Sequence, residues 1–271
     1  MAPLSPLLQR YDQVILDLDG CVWVGDEAVP GSPDAIAALR AAGKRVAFAT
    51  NNSWHPSEDQ VTRLWGHGIQ ASLADVVTVG GAMQHLLNET RQGRTAFVIG
   101  GASLKKSVAD AGLRVLNGTD LAEHAEVVVI GGTDDVTYDD LRVATLAARR
   151  SGDLLATARD PTLPMPGGHW PGTGALLAAV ETASGITGQI VGKPQPQLFL
   201  TALDRLGDGR TLAVGDRLDT DIAAATAAGL DAALVLSGGM TRDEAQAAVD
   251  TDGAPRPIEV APDLRTLVLG A

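Results

Sequence analysis

The chain has 271 residues, of which 45% are hydrophobic, so it can bury one large core or two smaller ones and is not a disordered protein. Its 33 acidic and 21 basic side chains give a formal net charge of -12, which repels polyanions and argues against a nucleic-acid partner. The single cysteine, Cys21, cannot form an internal disulfide, so we expect a cytoplasmic protein. No secretion signal or bilayer-spanning apolar run is evident, so we expect no membrane partner.

Short runs rich in Val and Ile alternate with alanine-rich helical stretches along the chain, a pattern typical of a parallel sheet covered by helices. We therefore predict the α/β fold class. Strands are predicted at 14–19, 45–50, 75–79, 96–99, 126–130, 154–157, 190–191, 211–214 and 232–236. Helices are predicted at 32–42, from 57, and at 103–111, 137–151, 173–184, 197–206 and 220–228. Residues 158–172 are rich in Pro and Gly, and we expect no regular element there.

Four short polar motifs come directly after apolar runs. They are Asp17-Leu-Asp-Gly20, Thr50-Asn-Asn-Ser53, Gly192-Lys-Pro194 and Gly215-Asp-Arg-Leu-Asp-Thr-Asp-Ile222. Ligands of open parallel sheets bind at the carboxyl ends of the strands. Because side chains alternate along a strand, we expect Asp17 and Asp19 to point to the same side. If the strand at 211–214 lies beside the first strand, Asp216 and Asp221 join them.

Four carboxylates at one place repel one another unless their pKa values rise or a cation binds, and hard oxygen ligands favour Mg²⁺. Thr50 and the ammonium group of Lys193 complete a pocket for a tetrahedral dianion, most simply a phosphate. One aspartate of the first motif can attack phosphorus while its neighbour handles the proton. Each motif alone is commonly a turn, a helix cap or a solvated lysine, but their order and shared position at strand ends favour a site.

This set of motifs resembles the haloacid dehalogenase (HAD) superfamily, and more closely its subfamily IIA, the NagD-like or 4-nitrophenylphosphatase-like branch, which carries a large C2-type cap. The resemblance implies a Rossmann-like HAD core with a parallel sheet, formed by residues 1–80 and 185–271, and an inserted α/β cap at 81–184. It also implies that Asp17 is the nucleophile and that Asp19 is the general acid and base.

The same resemblance implies how phosphate and metal are held. The positions that bind the phosphoryl group are matched by Thr50, Asn51, Asn52 and Lys193. The cofactor implied is Mg²⁺, bound by the side chains of Asp17 and Asp216 and by the backbone carbonyl of Asp19, with support from Asp221. In the Pro/Gly-rich loop, Arg159, Asp160 and His169 are candidate specificity residues of the cap, although a plain surface loop is an equal alternative.

The function implied is a Mg²⁺-dependent phosphomonoesterase that acts on a small phosphorylated metabolite through an aspartyl-phosphate. Glycerol 3-phosphate and 2-phosphoglycolate are the substrates we favour, and family members often pair through their caps, which suggests a homodimer. Two alternatives stay open. One is a phosphotransferase or mutase acting on sugar or nucleoside phosphates, and the other is a non-catalytic module that binds phosphate.

Overall fold

The computed structural model describes residues 3–53, 55–165, 168–251, 253 and 255–270. They form two compact units. The first consists of Met1–Thr50, Ser57–Val77 and Lys193–Ala271, and the second of Asn51–Pro56 and Thr78–Gly192. Each unit combines a parallel sheet with helices, which confirms the predicted α/β class. None of the described helices is both long enough and apolar enough to cross a membrane.

The strands, in chain order, are β1 (Gln13–Leu16), β2 (Trp23–Val24), β3 (Glu27–Ala28), β4 (Arg45–Thr50), β5 (Val76–Thr78), β6 (Thr95–Ile99), β7 (Arg114–Val115), β8 (Val127–Ile130), β9 (Leu154–Ala156), β10 (Thr162–Met165), β11 (Gly168–Pro171), β12 (Gln189–Ile190), β13 (Thr211–Gly215), β14 (Asp231–Val235) and β15 (Glu259–Ala261). The α-helices are α1 (Pro6–Gln9), α2 (Ser32–Ala41), α3 (Ser57–Gly66), α4 (Val79–Arg91), α5 (Ala102–Asp110), α6 (Tyr138–Ser151), α7 (Thr173–Ser184), α8 (Gln197–Leu206), α9 (Ala223–Ala227), α10 (Arg242–Val249) and α11 (Leu264–Leu269). Short 3₁₀ turns lie at Leu73–Asp75 and Ala122–His124, and a π turn lies at Leu218–Ile222.

The sheet of the first unit has the strand order β15-β14-β13-β1-β4-β5. After β1, the chain adds β4 and β5 on one side of it. The later strands β13, β14 and β15 are added on the other side. In such a sheet, ligands bind outside the carboxyl ends of the two strands where the direction reverses, here β1 and β13. In the parallel register, Leu16 lies opposite both Val214 and Phe48, so β1, β4 and β13 reach this edge together.

The strands at the centre of this sheet are apolar on both faces because helices and loops cover both. Every residue of β1 and β13 is buried, and so is every residue of β4 after Arg45. Leu16, Phe48 and Val214 belong to one continuous apolar core. Near-continuous apolar runs of this kind are what a covered parallel sheet requires, which is why these strands were predictable.

The sheet of the second unit has the order β12-β9-β8-β6-β7, and its pairs are parallel. Its limits differ from the predicted residues 81 and 184. Helix α4, which the sequence prediction missed, begins at Val79 and is capped by the Thr78 side chain, so residue 81 falls inside a helix. At the other end, β12 pairs with β9, which places residues up to Gly192 in this unit. The role of this unit as a cap stays a prediction.

Residues 158–172 contain a regular element, contrary to our expectation. Strands β10 and β11 form an antiparallel ribbon in which Thr162 lies opposite Pro171 and Pro164 lies opposite His169. Proline cannot donate a backbone hydrogen bond, but it is tolerated on edge strands, and both strands of a two-stranded ribbon are edges. The prolines therefore restrict this segment without preventing it from pairing.

Candidate active site

The chain turns sharply after β1. The strand ends at Leu16, earlier than the predicted residue 19, although the backbone N–H of Asp17 still donates to the Val214 carbonyl at 2.8 Å. Gly20, with φ of 89°, adopts the left-handed conformation that favours glycine. Because the turn begins so early, Asp17 and Asp19 both lie after the strand, and strand alternation does not set their directions. Asp17 is buried and Asp19 is exposed.

Three carboxylates meet where β1 and β13 end. Asp17, Asp216 and Asp221 each present an oxygen atom, and these atoms lie within 4.8 Å of one another. Asp216 directly follows β13, and Asp221 lies in the π turn, where its Oδ2 accepts a hydrogen bond from the Arg217 backbone N–H at 3.1 Å. The pairing of β1 with β13 thus brings Asp216 and Asp221 to Asp17, as expected, but the side chain of Asp19 is not part of this carboxylate group.

The ammonium group of Lys193 binds two carboxylates of this cluster. It donates to Asp17 Oδ1, to Asp221 Oδ1 at 2.6 Å and to the carbonyl of Ala49 at 3.0 Å. Only 4% of the residue is exposed. Burial by itself would lower the pKa of Lys193, but the charges of Asp17 and Asp221 and their hydrogen bonds raise it above its ordinary value. Lys193 therefore stays protonated and neutralises one of the carboxylates.

The negative charge that Lys193 does not neutralise makes the cluster of Asp17, Asp216 and Asp221 a candidate metal site. Burial raises the pKa of Asp17 well above its ordinary value, and the charges of Asp221 and Asp216 add to this effect against the attraction of Lys193. Burial, followed by the charge of Asp221, raises the pKa of Asp216 to about 6. Three carboxylates and one ammonium group leave a formal charge of -2, which one divalent cation balances. The donors are all hard oxygens, which suits Mg²⁺.

Asp19 lies beside the cluster in a different environment. Its Oδ1 accepts a hydrogen bond from Trp23 Nε1 at 2.9 Å, and its Oδ2 lies 3.4 Å from Thr50 Oγ1. Trp23 is fully buried and Thr50 is 1% exposed, so two rigid side chains orient a carboxylate that solvent can reach. Trp23 was not predicted as a site residue because it stands outside the four motifs; its spacing of four residues from Asp19 was the available signal.

The other predicted site residues lie in the second unit. Asn51 and Asn52 are half-buried in the segment Asn51–Pro56, where Asn52 Oδ1 accepts from the His55 backbone N–H at 3.3 Å. Arg159 binds both carboxylate oxygens of Glu181, at 2.9 and 2.8 Å. Asp160 is exposed. His169 is in β11, and its side chain lies outside the described part of the structure.

Comparisons with known proteins identify the family of this chain. The family described as haloacid dehalogenase-like hydrolase matches residues 14–114, and a HAD-hydrolase-like family matches residues 190–267. The D-glycerol 3-phosphate phosphatase of Mycobacterium tuberculosis is 35% identical over 266 residues, which are 97% of this chain and 73% of that protein. The acid sugar phosphatase of Staphylococcus aureus is 32% identical over 241 residues, 88% of this chain and 92% of that protein.

The chain belongs to the haloacid dehalogenase-like hydrolases. This confirms the resemblance drawn from the four motifs, including its NagD-like branch. Among solved structures, the glycerol phosphate phosphatase of Mycobacterium tuberculosis in complex with magnesium matches with a TM-score of 0.87 at 36% identity, covering 98% of this chain and 78% of that one.

Proposed function

We propose that this HAD-like hydrolase is a Mg²⁺-dependent phosphomonoesterase that forms an aspartyl-phosphate on Asp17. The observation that carries the proposal is the buried Asp17 at the end of β1, hydrogen-bonded to Lys193 and clustered with Asp216 and Asp221. A rigid carboxylate next to a fixed positive charge is the arrangement that a nucleophile needs in order to approach an anionic phosphate. The relatives named as phosphatases support the same reaction class.

In the first step, an oxygen of Asp17 attacks phosphorus and the bond between phosphorus and the ester oxygen breaks. The electron pair of that bond goes to the leaving oxygen, which takes a proton from the Asp19 carboxyl. In the second step, Asp19 removes a proton from water, whose oxygen attacks phosphorus, and Asp17 leaves as a free carboxylate with release of inorganic phosphate. The exposure of Asp19 and its fixed orientation suit this acid and base role.

The remaining groups bind and orient the phosphoryl group. Lys193 supplies a permanent charge, Thr50 a hydroxyl donor, Asn51 a backbone N–H, and Asn52 orients its neighbours. Asp17 and Asp216, with the backbone carbonyl of Asp19 and support from Asp221, would hold Mg²⁺. The bound ion supplies positive charge that offsets the charge of the phosphoryl oxygens.

The second unit is the candidate cap that selects the substrate, since its sequence is inserted within that of the first unit. The relatives named D-glycerol 3-phosphate phosphatase and acid sugar phosphatase support a small phosphorylated metabolite as the substrate. We favour glycerol 3-phosphate, with 2-phosphoglycolate as the second candidate. A homodimer and a cytoplasmic location remain part of the proposal, the latter because the chain has one cysteine.

The test is release of inorganic phosphate from a panel that contains glycerol 3-phosphate, 2-phosphoglycolate, sugar phosphates, nucleotides and 4-nitrophenyl phosphate. The purified protein is assayed with Mg²⁺ and again with excess chelator. We expect release that depends on Mg²⁺ and is fastest for a small alkyl phosphate. Transfer of phosphate to an added alcohol in preference to water would indicate a phosphotransferase, and tight ester binding without any product would indicate a binding module.

The role of Asp19 is tested by Asp19→Asn with two classes of ester. An alkyl phosphate needs its leaving oxygen protonated, whereas the 4-nitrophenolate anion leaves without a proton. We expect the variant to lose about 10²- to 10⁴-fold in kcat on the alkyl ester and clearly less on the aryl ester in the first step. Equal losses on both esters in single-turnover measurements would argue against Asp19 as the general acid.

A further inference from the structure

The loop that follows β14 approaches the carboxylate of Asp216 more closely than any side chain would allow. A Cβ atom placed on Gly238 would lie 1.7 Å from Asp216 Oδ2, 2.5 Å from its Cγ and 2.8 Å from its Cβ. These distances are far shorter than a van der Waals contact, so a residue with a side chain at 238 has to displace the Asp216 carboxylate or the loop itself.

Space is the reason that position 238 holds glycine, since its backbone does not require one. Gly238 is not among the glycines with positive φ, unlike its neighbour Gly239, whose φ is 109°. Alanine is therefore allowed at position 238 by the backbone and excluded by the carboxylate of Asp216. Gly66 is the matched contrast in the same unit: it also lacks a positive φ, and a Cβ there would have no atom within 4 Å.

The residue before Gly238 connects the loop to the first motif. Ser237 Oγ donates a hydrogen bond to the carbonyl of Gly20 at 2.7 Å. Gly20 lies against Asp216 as well, because a Cβ on Gly20 would be 2.3 Å from Asp216 Oδ2. The Asp216 carboxylate is thus held between the backbones of two glycines, and the Ser237 hydroxyl ties the segments that carry those glycines to each other.

We propose that Ser237 and Gly238 are positioning residues for the metal site, so that the β14 loop is a fifth segment of the active site beside the four motifs. Gly238 fixes the orientation of the Asp216 carboxylate by contact, and Ser237 fixes the turn that carries Asp19 and Gly20 by its hydrogen bond. Both residues act through other groups of the site, and neither is assigned a contact with the substrate. The proposal rests on the proposed function, because it assigns these residues to the Mg²⁺ site of that reaction.

The first test measures metal binding without turnover. Mg²⁺ is titrated into wild-type protein, Gly238→Ala and Gly66→Ala, and the rise in thermal unfolding midpoint gives the apparent affinity. Removing groups that orient metal ligands weakens binding by about 10- to 100-fold. We expect a loss of this size for Gly238→Ala, a smaller loss for Ser237→Ala and none for Gly66→Ala. Saturating Mg²⁺ should then restore much of the phosphatase kcat of Gly238→Ala.

The second test identifies the contact itself in metal-free protein. Gly238→Ala is placed in the wild-type background and in the Asp216→Gly background, where no side chain occupies the space. We expect the substitution to lower the unfolding midpoint in the first background and to have no effect in the second. If Gly238→Ala alone does not fold, folding of the double variant gives the same support, because removal of the Asp216 side chain then rescues the fold.

The outcomes separate this proposal from the proposed function. If wild-type protein responds to Mg²⁺ and Gly238→Ala responds with the same affinity, the positioning role is overturned while the proposed function stands. An equal fall in midpoint in both backgrounds overturns it too, because the cost would then not come from Asp216. If wild-type protein shows no Mg²⁺ response and no metal-dependent phosphate release, the proposed function fails, and the positioning role fails with it.

Discussion

At the carboxyl ends of both parallel sheets, glycine residues leave space next to the backbone. An apolar side chain occupies that space in one sheet and a carboxylate occupies it in the other. In the second unit, Gly100 follows β6 and Gly131 follows β8, and a Cβ on either would lie within 2.7 Å of the buried Leu104 side chain. In the first unit, Gly20 and Gly238 leave the same kind of space, and the carboxylate of Asp216 occupies it. One sheet edge is closed by a leucine and the other is lined by charge.

This difference shows that the fold alone does not determine where chemistry occurs. Both sheets are parallel and both have a carboxyl edge of the kind where ligands bind. Within the described part of the chain, the one group of three metal-ligating side chains is Asp17, Asp216 and Asp221, at the edge of the first sheet. The proposed active site therefore consists of Lys193 and of side chains that follow β1, β4 and β13, and the substitutions below test that assignment.

Replacing Lys193 by Met should have the largest effect on stability, because it leaves Asp17 and Asp221 buried without their common cation. Removal of one partner from a buried ion pair costs about 3–5 kcal/mol of unfolding free energy. We expect a loss of this order in urea unfolding and a fall of about 10³-fold in phosphate release. Lys106→Met in the second unit is the control, since that exposed lysine pairs with Asp110 and contributes about 0.5 kcal/mol. Similar effects of the two variants would contradict the assignment.

Metal-free protein should become less stable as pH rises, because Asp216 at the end of β13 then loses its proton. The pKa of Asp216 is about 6 in the folded protein and 3.8 ordinarily, so its neutral form favours folding. That contribution is fully present below pH about 3.8 and is lost as pH rises through about 6. Between pH 5 and 7.5 we expect a loss on the order of 1 kcal/mol from this group in urea unfolding. The variant Asp216→Asn should lack this part of the pH dependence, and an unchanged dependence would show that Asp216 does not titrate there.

Arg159 in the second unit should give the smallest effect. Among the described residues, its guanidinium group donates hydrogen bonds to the Glu181 carboxylate and to the carbonyl of Gly188, the latter at 3.3 Å. These contacts are structural and give no evidence of substrate binding. The side chain is half exposed, so we expect Arg159→Ala to cost at most about 1 kcal/mol and to leave KM unchanged. Arg142→Ala, which breaks exposed pairs with Asp139 and Glu123, is the control in the same unit. A KM that rises for Arg159→Ala and not for Arg142→Ala would support the substrate-binding role predicted for Arg159 from the sequence.

Much of the fold could be predicted because buried parallel strands are near-continuous apolar runs. The strand at 45–50 was predicted to the residue, and β6, β8, β9 and β12 of the second unit to within one residue, whereas the two-residue edge strand β7 was missed. Helix α4 was missed because Gly80 and Gly81 weaken its helical pattern, although the Thr78 cap was present in the sequence. The β10–β11 ribbon was missed because proline was read as excluding pairing, which holds for central strands and not for edges.

The site was predictable to the extent that its residues follow strands. Asp17, Asp216 and Asp221 come together because β1 pairs with β13, a pairing that was predicted only as a condition. The expected positions of Asp17 and Asp19 assumed a strand that extends to residue 19, but β1 ends at Leu16, and strand ends are the least certain feature of a pattern. Ser237 was missed because its hydrogen-bond partner, Gly20, is distant in the chain. Gly238 was missed because its role depends on the absence of a side chain that would collide with Asp216, which no sequence pattern reveals.

The most direct test of the central claim is the rate of inorganic phosphate release by Asp17→Asn compared with wild-type protein at saturating Mg²⁺. An amide is close in shape to a carboxylate but is a poor nucleophile, so the variant should keep the fold while losing about 10⁴-fold or more in kcat. Circular dichroism and the unfolding midpoint check that the variant is folded. A folded Asp17→Asn that releases phosphate at a rate near that of wild-type protein would contradict the assignment of Asp17 as the nucleophile.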